Sequence, residues 1–270
     1  MNRKSVLALV LALVLCLVSV SALAEDASLQ KVLDKGTLVL GFDASFPPMG
    51  YTDENGEYVG FDLDVAAEVC SRLGVELVKQ PIDWAAKDLE LNNGNIDCIW
   101  NGMTATQERA ETMSLSVPYL KNAQIVCVLA DSAVNTLADL AGKTVAVQAG
   151  SAGADALAAD PELTATFASA PVEYADYAMA LLDLDNKGVD AVVIDIIVAN
   201  YYIAQKNASY RVLDEQLSPE EYAIGFRKDD AALTEAVNNT LIAMATDGKL
   251  AEISADWFAS DITIVPKQAE

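Results

Sequence analysis

Hydrophobic residues along the chain follow two patterns, short apolar runs and longer stretches in which apolar residues return every third or fourth position. The first pattern predicts buried strands and the second predicts amphipathic helices. Apolar runs at 37–42, 75–78 and 96–101 alternate with helical patterns that start at Asp62 and Asp83. This order predicts a β-α-β-α-β unit, which is typical of a wound parallel sheet.

The same alternation begins again near residue 123. Apolar runs at 124–129, 144–148, 172–174 and 188–195 predict strands, and Asp176 begins a predicted helix. The chain then returns to a strand at 222–227, a long amphipathic helix at 230–247 and a last helix with Trp257 and Phe258. Two such units predict an α/β protein of two lobes.

The polar turn after the run at 96–101 concentrates groups that suit an anion. The strand leads Asn101 and Gly102 into the turn, Thr104 adds a hydroxyl, and Thr106 is placed to cap a short helix that carries Arg109. A guanidinium presents a planar fork that a carboxylate accepts with both oxygens. The stretch therefore predicts a carboxylate receptor.

Ordinary helix chemistry can also account for some of these charges. Arg109 has two glutamates on its own predicted helix, Glu108 and Glu111, and a surface ion pair with either is the alternative. Three acids near the start of an earlier helix invite comparison with a paired-carboxylate active site: Asp62, Asp64 and Glu68. Capping and the helix dipole account more simply for those three.

Residues 188–195 repeat the pattern of residues 94–101, because each segment is an apolar strand that ends on a polar side chain. Asn101 and Asp195 are therefore expected to face one another across a cleft, unless Asp195 only caps the helix that follows it. The small-residue loop at 149–153 leaves amides uncovered at a helix start, which suits an anion.

Two aromatic residues follow predicted strands at the edge where such sheets bind ligands. Paired prolines stiffen the loop after Asp43 and hold Phe46 away from the strand end. Trp84 lies at the mouth of the second helix, where either a binding role or a place in the core fits the pattern.

The first residues are typical of an export signal. Basic residues precede an apolar run and an Ala-Leu-Ala site, which predicts cleavage after residue 24. An uncleaved anchor over residues 5–24 is one alternative, and lipid attachment at Cys16 is another. Export predicts a periplasmic or cell-surface location.

Composition excludes several functions. Residues 1–24 contain two of the 17 basic residues and no acidic one, so 15 basic and 40 acidic residues remain, a net charge of −25. Such a charge excludes a nucleic-acid-binding surface. The chain has no histidine, which removes the usual general base and metal ligand. Cys70, Cys98 and Cys127 lie in apolar runs and are expected to be buried thiols, so no metal or cofactor is predicted.

Several motifs in one order carry a family resemblance. They are GFD at 41–43 followed by FPPM at 46–49, GFDLD at 60–64, GMTATQER at 102–109, TVAVQAGS at 144–151 and YAIGF at 222–226. Together they resemble the polar amino-acid family, family 3, of the extracellular solute-binding proteins of bacterial ABC importers. The resemblance implies the two-lobed fold of periplasmic binding proteins (type II), with lobe one at 28–119 and 224–264, lobe two at 125–219, and hinges near 119–124 and 220–223.

The resemblance also implies a ligand site. Arg109 matches the arginine that holds the ligand α-carboxylate, with the Thr104 amide and hydroxyl and the amide near Ala152. Asp195 matches the aspartate that receives the α-ammonium, with the Gly102 carbonyl. Phe46 and Trp84 match the aromatic residues that cover the ligand side chain. Asp43 matches the residue that contacts the polar end of that side chain. Two positions depart from the pattern, because Gln148 stands where glutamine-binding relatives have lysine and Ala152 where glycine or threonine is common.

Charge balance suggests the class of ligand. Arg109 faces two acids, Asp43 and Asp195, so a bound zwitterion leaves one excess negative charge in a closed pocket. We therefore expect a cationic amino acid, arginine, lysine or ornithine, with glutamine, histidine or cystine next. The protein is expected to be a monomer, and its expected partner is the membrane permease of an ABC transporter. The alternative is a dehydratase of the same fold acting on a cyclic amino acid, for which Asp43 is the candidate acid.

Overall fold

Two five-stranded sheets with helices on their faces make up the computed structural model, which describes residues 26–205 and 209–268. The predicted signal peptide, its alternative as an anchor, and the lipidation site at Cys16 lie outside these residues. Among the described residues, no helix is long and apolar enough to cross a membrane.

The strands in chain order are β1 (Thr37–Phe42), β2 (Ser45–Phe46), β3 (Gly50–Thr52), β4 (Tyr58–Val59), β5 (Glu76–Pro81), β6 (Cys98–Ile99), β7 (Met113–Leu115), β8 (Leu120–Leu129), β9 (Val145–Gln148), β10 (Val172–Tyr174), β11 (Ala191–Asp195), β12 (Tyr210–Tyr222) and β13 (Gly225–Arg227). The helices are Ser28–Lys35, Phe61–Leu73, Lys87–Asn92, Gln107–Thr112, Ala152–Ala159, Pro161–Thr164, Tyr177–Asp185, Ile196–Gln205, Ala231–Asp247 and Lys249–Phe258. Single 3-10 turns occupy Trp84–Ala86 and Leu137–Leu140.

Lobe one is the sheet with strand order β5-β1-β6-β13-β7 and the helices packed on it. The strand β1 lies parallel to β5 and β6, which confirms the β-α-β-α-β winding. It is an interior strand of the sheet, and Leu38, Leu40 and Phe42, which share one of its faces, are fully buried in the core. A hairpin of β3 and β4, with Gly56 in its turn, extends a small third sheet over this lobe.

Lobe two is the sheet with order β10-β9-β11-β8-β12. The strand β9 is parallel to β10 and β11, whereas β8 runs antiparallel to both β11 and β12. The carboxyl ends of β9 and β11 face lobe one, so the residues that follow or end these strands lie at the junction between the lobes.

The two predicted hinge segments lie side by side. They belong to β8 and β12, which pair with Leu120 opposite Tyr222 and Asn122 opposite Glu220. Beyond these pairs the chain joins lobe one, where the Ala223 amide donates to the Met103 carbonyl at 2.8 Å. The exact lobe boundaries remain predictions.

Three predicted strands needed correction, and one strand was missed. The strand expected at 188–195 begins only at Ala191. The strand expected at 96–101 is only Cys98–Ile99, although the Asp97 and Trp100 amides still donate to carbonyls of β1. The strand expected at 222–227 is divided, because Tyr222 ends β12 and β13 begins at Gly225. The long strand β12 was missed because it is acidic, contains a proline and is paired on one side only, so its pattern is not that of a buried strand.

The cysteine prediction is confirmed where the structure describes those residues. Cys70, Cys98 and Cys127 are buried thiols in the cores of the lobes. Burial raises the pKa of Cys70 and of Cys127 to about 12, so these thiols stay protonated at neutral pH. They therefore behave as small core residues.

Candidate functional site

One cavity lies between the lobes, at the strand ends that face each other. The cavity is small in this closed arrangement, with a free volume of about 10 Å³. Its lining residues are Phe46, Trp84, Asn101, Gly102, Thr104, Arg109, Gln148, Ser151, Ala152 and Asp195. All of the predicted ligand-binding residues except Asp43 are among them, and Asp43 bonds to two of them, Asn101 and Gln148. The structure thus brings the candidates together, while their role as ligand contacts remains a prediction.

Arg109 lies in the wall of this cavity with only 8% of its surface exposed. The Thr106 hydroxyl accepts a hydrogen bond from the Arg109 amide at 3.1 Å, so the predicted cap starts the helix that carries the guanidinium. One guanidinium nitrogen donates to the Thr104 carbonyl at 2.9 Å. Its ion pair is with Asp155 of lobe two, at 3.9 Å, rather than with a glutamate of its own helix.

Thr104 presents its hydroxyl differently from the arrangement that the resemblance implied. The hydroxyl donates its proton to Glu220 at 2.9 Å. A hydroxyl has one proton and two lone pairs, so the oxygen has only acceptor capacity left for the cavity. The backbone amide of Thr104 then remains the group suited to a carboxylate.

Asp195 ends β11 from the opposite lobe and is 4% exposed. Within the described part of the chain, both hydrogen bonds it receives end on Oδ1, from Asn122 at 2.6 Å and Tyr222 at 2.7 Å. Its other oxygen is therefore available to the cavity. Burial first, and then the nearby charge of Glu220, raise the pKa of Asp195 to about 6. Asn122 belongs to β8 and Tyr222 to β12, so the Asp195 side chain is bonded to both hinge strands.

The prediction that Asp62 caps its helix is wrong. The helix begins at Phe61 after Gly60, and the fully buried Asp62 side chain accepts from the Gly102 amide at 2.7 Å and the Tyr119 hydroxyl at 2.8 Å. Burial raises the pKa of Asp62 to about 7. This carboxyl fixes the Gly102 turn, where φ is +57° and a Cβ would lie 2.7 Å from the Phe46 ring.

Asp43 and Gln148 join the two lobes behind the cavity. The Gln148 amide nitrogen donates to Asp43 Oδ2 at 2.7 Å and to the Ala175 carbonyl at 3.0 Å. Burial raises the pKa of Asp43 to about 6, against the opposite effects of its bonds from Ser45 and Gln148. Asn101 fixes this loop by accepting from the Asp43 amide at 3.0 Å.

The aromatic walls come from both lobes. Phe46 and Trp84 of lobe one are 5% and 7% exposed and line the cavity. The buried Tyr177 ring of lobe two lies 5.9 Å from the Phe46 ring, measured between centroids. The Nζ of Lys87 lies 5.2 Å from the Trp84 ring centroid, so one face of the indole is in contact with a cation.

The small-residue loop leads into a helix start at the cavity, as predicted. The helix Ala152–Ala159 begins after Ser151, whose hydroxyl accepts from the Ala154 amide at 3.1 Å. Ser151 and Ala152 line the same cavity as Arg109. Free amides at a helix start and a guanidinium can together hold an anion.

Sequence reasoning missed five residues at or beside this cavity: Asp62, Lys87, Ser151, Tyr177 and Glu220. Ser151 had a local signal, because a serine before a helical stretch is a preferred cap. The other four residues have no such local signal, because they reach the cavity through contacts with residues distant in the chain.

The arrangement suits binding of a small zwitterion. The guanidinium of Arg109 from lobe one and the carboxylate of Asp195 from lobe two line the cavity together. No cluster of acidic or cysteine side chains among residues 26–205 and 209–268 is arranged to hold a metal ion. The groups present can hold a ligand through charge and hydrogen bonds, without a covalent step.

Known proteins resemble this chain over most of its length. The L-cystine-binding protein TcyJ of Escherichia coli (strain K12) is 27% identical over 267 residues, which covers 97% of this chain and 98% of that protein. The ABC transporter arginine-binding protein 1 of the same organism is 30% identical over 224 residues, covering 81% of this chain and 89% of that one.

The fold is also similar to that of a solved structure. An ABC uptake transporter substrate binding protein from Streptococcus pneumoniae with bound histidine superposes with a TM-score of 0.86 at 38% identity, covering 89% of this chain and 99% of that one. This confirms the predicted two-lobed α/β fold. The family model for bacterial extracellular solute-binding proteins, family 3, matches residues 38–260. The chain therefore belongs to family 3 of the bacterial extracellular solute-binding proteins.

Proposed function

We propose that this protein is the extracytoplasmic binding component of an ABC importer, which captures a free polar amino acid between its lobes and delivers it to a membrane permease. The preferred ligands are cationic, arginine, lysine or ornithine, followed by glutamine, histidine and cystine. The residues that hold the ligand are those lining the cavity, together with Asp43.

One observation carries this proposal: Arg109 of lobe one and Asp195 of lobe two line the same cavity. An α-amino acid has a carboxylate and an ammonium on one carbon, so it can bond to both residues only when the lobes are together. A ligand that contacts both lobes in the closed state shifts the population toward that state by its differential affinity. Capture by closure follows without covalent chemistry.

Charge in the cleft supports a cationic side chain. The excess of negative charge counted for Arg109, Asp43 and Asp195 is not removed by the ionisable residues that the structure adds beside the cavity. Lys87 contributes one positive charge, whereas Glu220 and Asp62 are both acidic. Because an unbalanced charge in a closed site is costly, a cationic ligand is favoured over a neutral or acidic one.

The relatives support the same class of function. They are named as binding proteins for cystine and arginine, and the structural neighbour contains histidine. These ligands are all polar amino acids within the expected set. The dehydratase alternative gains no support from them, because the family consists of solute-binding proteins.

A melting experiment tests the proposal. The protein is unfolded and refolded to remove carried ligand, then melted with each common amino acid, ornithine and cystine. A ligand at about 100 times its dissociation constant should add roughly 2.7 kcal/mol to the free energy of unfolding, which raises the melting temperature. We expect the largest increase with arginine, lysine or ornithine.

Two results would count against it. Stabilisation by glutamate with none by any cationic amino acid would contradict the ligand class. No stabilisation by any of these compounds, or chemical conversion of the bound one detected by mass spectrometry, would contradict the binding function itself.

A further inference from the structure

Lys87 is a buried cation that reaches across the cleft. It begins the helix Lys87–Asn92 of lobe one and is 5% exposed. Its Nζ donates to the carbonyl of Gly150 in lobe two at 2.9 Å and to the Trp84 carbonyl of its own lobe at 3.4 Å. The contact with Gly150 therefore joins the two lobes directly, at the loop that leads into the cavity wall.

Among the described residues, no paired carboxylate compensates for the burial of this side chain. Within the part of the chain that the structure describes, no carboxylate lies close enough to Lys87 to form an ion pair with it. Burial first, and then the charge of Arg109, lower the pKa of Lys87. The Gly150 carbonyl and the Trp84 ring compensate for part of the lost hydration. Because the bond joins residues of different lobes, separation of the lobes would break it.

The loop at Gly150 fits closely against lobe one. Gly150 has φ of +67°, and a Cβ there would lie 3.3 Å from the Ala85 Cα and 3.5 Å from the Lys87 Nζ. The next two residues, Ser151 and Ala152, line the cavity and start a helix. Holding the Gly150 carbonyl therefore holds the start of the helix that lines the cavity.

We propose that Lys87 is a closure latch: its bond to the Gly150 carbonyl stabilises the closed lobes and positions Ser151 and Ala152 for the ligand carboxylate. This proposal rests on the proposed amino-acid binding function. Lys87 acts through Gly150 and does not itself touch the ligand, so it is a positioning residue. Its loss should shorten the lifetime of the closed complex.

The test compares Lys87→Met with a matched control. Lys79→Met removes the same kind of bond within lobe one, since Lys79 Nζ donates to the Tyr58 carbonyl at 2.7 Å. Binding of L-arginine, L-glutamine, L-histidine and L-cystine is measured by titration and by stopped-flow kinetics. For the compounds that bind, Lys87→Met should weaken affinity about tenfold, mainly through faster dissociation.

Further readouts separate a latch from a purely structural role. Ligand-free Lys87→Met should melt no lower than the unaltered protein, because a buried cation without a carboxylate has been removed. Lys87→Arg should restore part of the affinity, and Lys79→Met should bind as the unaltered protein does. Equal affinity and dissociation rate in Lys87→Met would overturn the latch alone. Failure of the unaltered protein to bind any of these four amino acids, lysine or ornithine would overturn the binding function and the latch with it.

Discussion

Replacing Arg109 by alanine should weaken amino-acid binding by about 2–5 kcal/mol, which corresponds to roughly a 30-fold to several-thousand-fold loss of affinity. Arg109 is the guanidinium of the cavity wall, and the nearest carboxylate it pairs with is the exposed Asp155 at 3.9 Å. That distance leaves the guanidinium available to a ligand carboxylate. Titration calorimetry with the amino acid that stabilises the protein most measures the effect.

Shape as well as charge matters at this position. Lysine retains the charge of Arg109 but lacks the planar fork, so Arg109→Lys should recover only a small part of the affinity. Arg72 provides the matched control, because it forms ion pairs with Glu68 and Asp247 on the surface of the same lobe. Arg72→Ala should bind normally. Near-normal binding by Arg109→Ala would show that the carboxylate is held elsewhere.

Replacing Asp195 by asparagine should remove binding to a similar extent, about 2–5 kcal/mol. The amide has nearly the same shape but no charge, and its NH₂ group cannot accept a bond from an ammonium. Ligand-free Asp195→Asn should be as stable as the unaltered protein or more stable. The reason is that burial and Glu220 both disfavour the ionised carboxylate, which raises its pKa to about 6.

The raised pKa of Asp195 gives binding and stability opposite pH dependences. Below about pH 6 the folded protein takes up a proton there, while the unfolded chain stays ionised until near the ordinary value of 3.8. Acidification from about pH 7 to 5 therefore stabilises the ligand-free fold and weakens binding of an ammonium group. Asp43, with a pKa also raised to about 6, adds to both trends. In Asp195→Asn both trends should be smaller.

Asp190→Asn is the control for this substitution, because Asp190 is exposed and precedes the same strand. It accepts from the Thr144 amide, so a small loss of stability is expected with unchanged affinity. Urea unfolding and calorimetric titration at the two pH values measure both properties. Ligand affinity that increases on acidification in the unaltered protein would contradict the assignment of Asp195.

Local signals in the sequence predicted much of the candidate site. The cap at Thr106 places Arg109 within the first turn of a helix, and the strand that ends on Asp195 brings that carboxylate to the sheet edge. Both depend on residues that are neighbours in the chain. Helix ends at Gly74 and Gly248 were predictable for the same reason, since glycine adopts the left-handed conformation found there.

Contacts between distant segments were not predictable in this way. Asp62 has the sequence context of a helix cap, yet its side chain bonds to the Gly102 turn 40 residues later. Lys87 has the context of a solvated helix start, yet lobe two covers it. Glu220 lies in an acidic strand whose pattern resembles a surface loop, and only its pairing with β8 brings it to Asn122 and Thr104.

The most direct test of amino-acid capture between the lobes is calorimetric titration of the unfolded and refolded protein with L-arginine and with agmatine, which is arginine without its α-carboxylate. The two compounds share the cationic side chain, so the comparison isolates the carboxylate that Arg109 is proposed to hold. We expect saturable one-site binding of L-arginine and no measurable binding of agmatine. Equal binding of agmatine, or binding of neither compound together with no binding of lysine, glutamine, histidine or cystine, would contradict capture through the α-carboxylate.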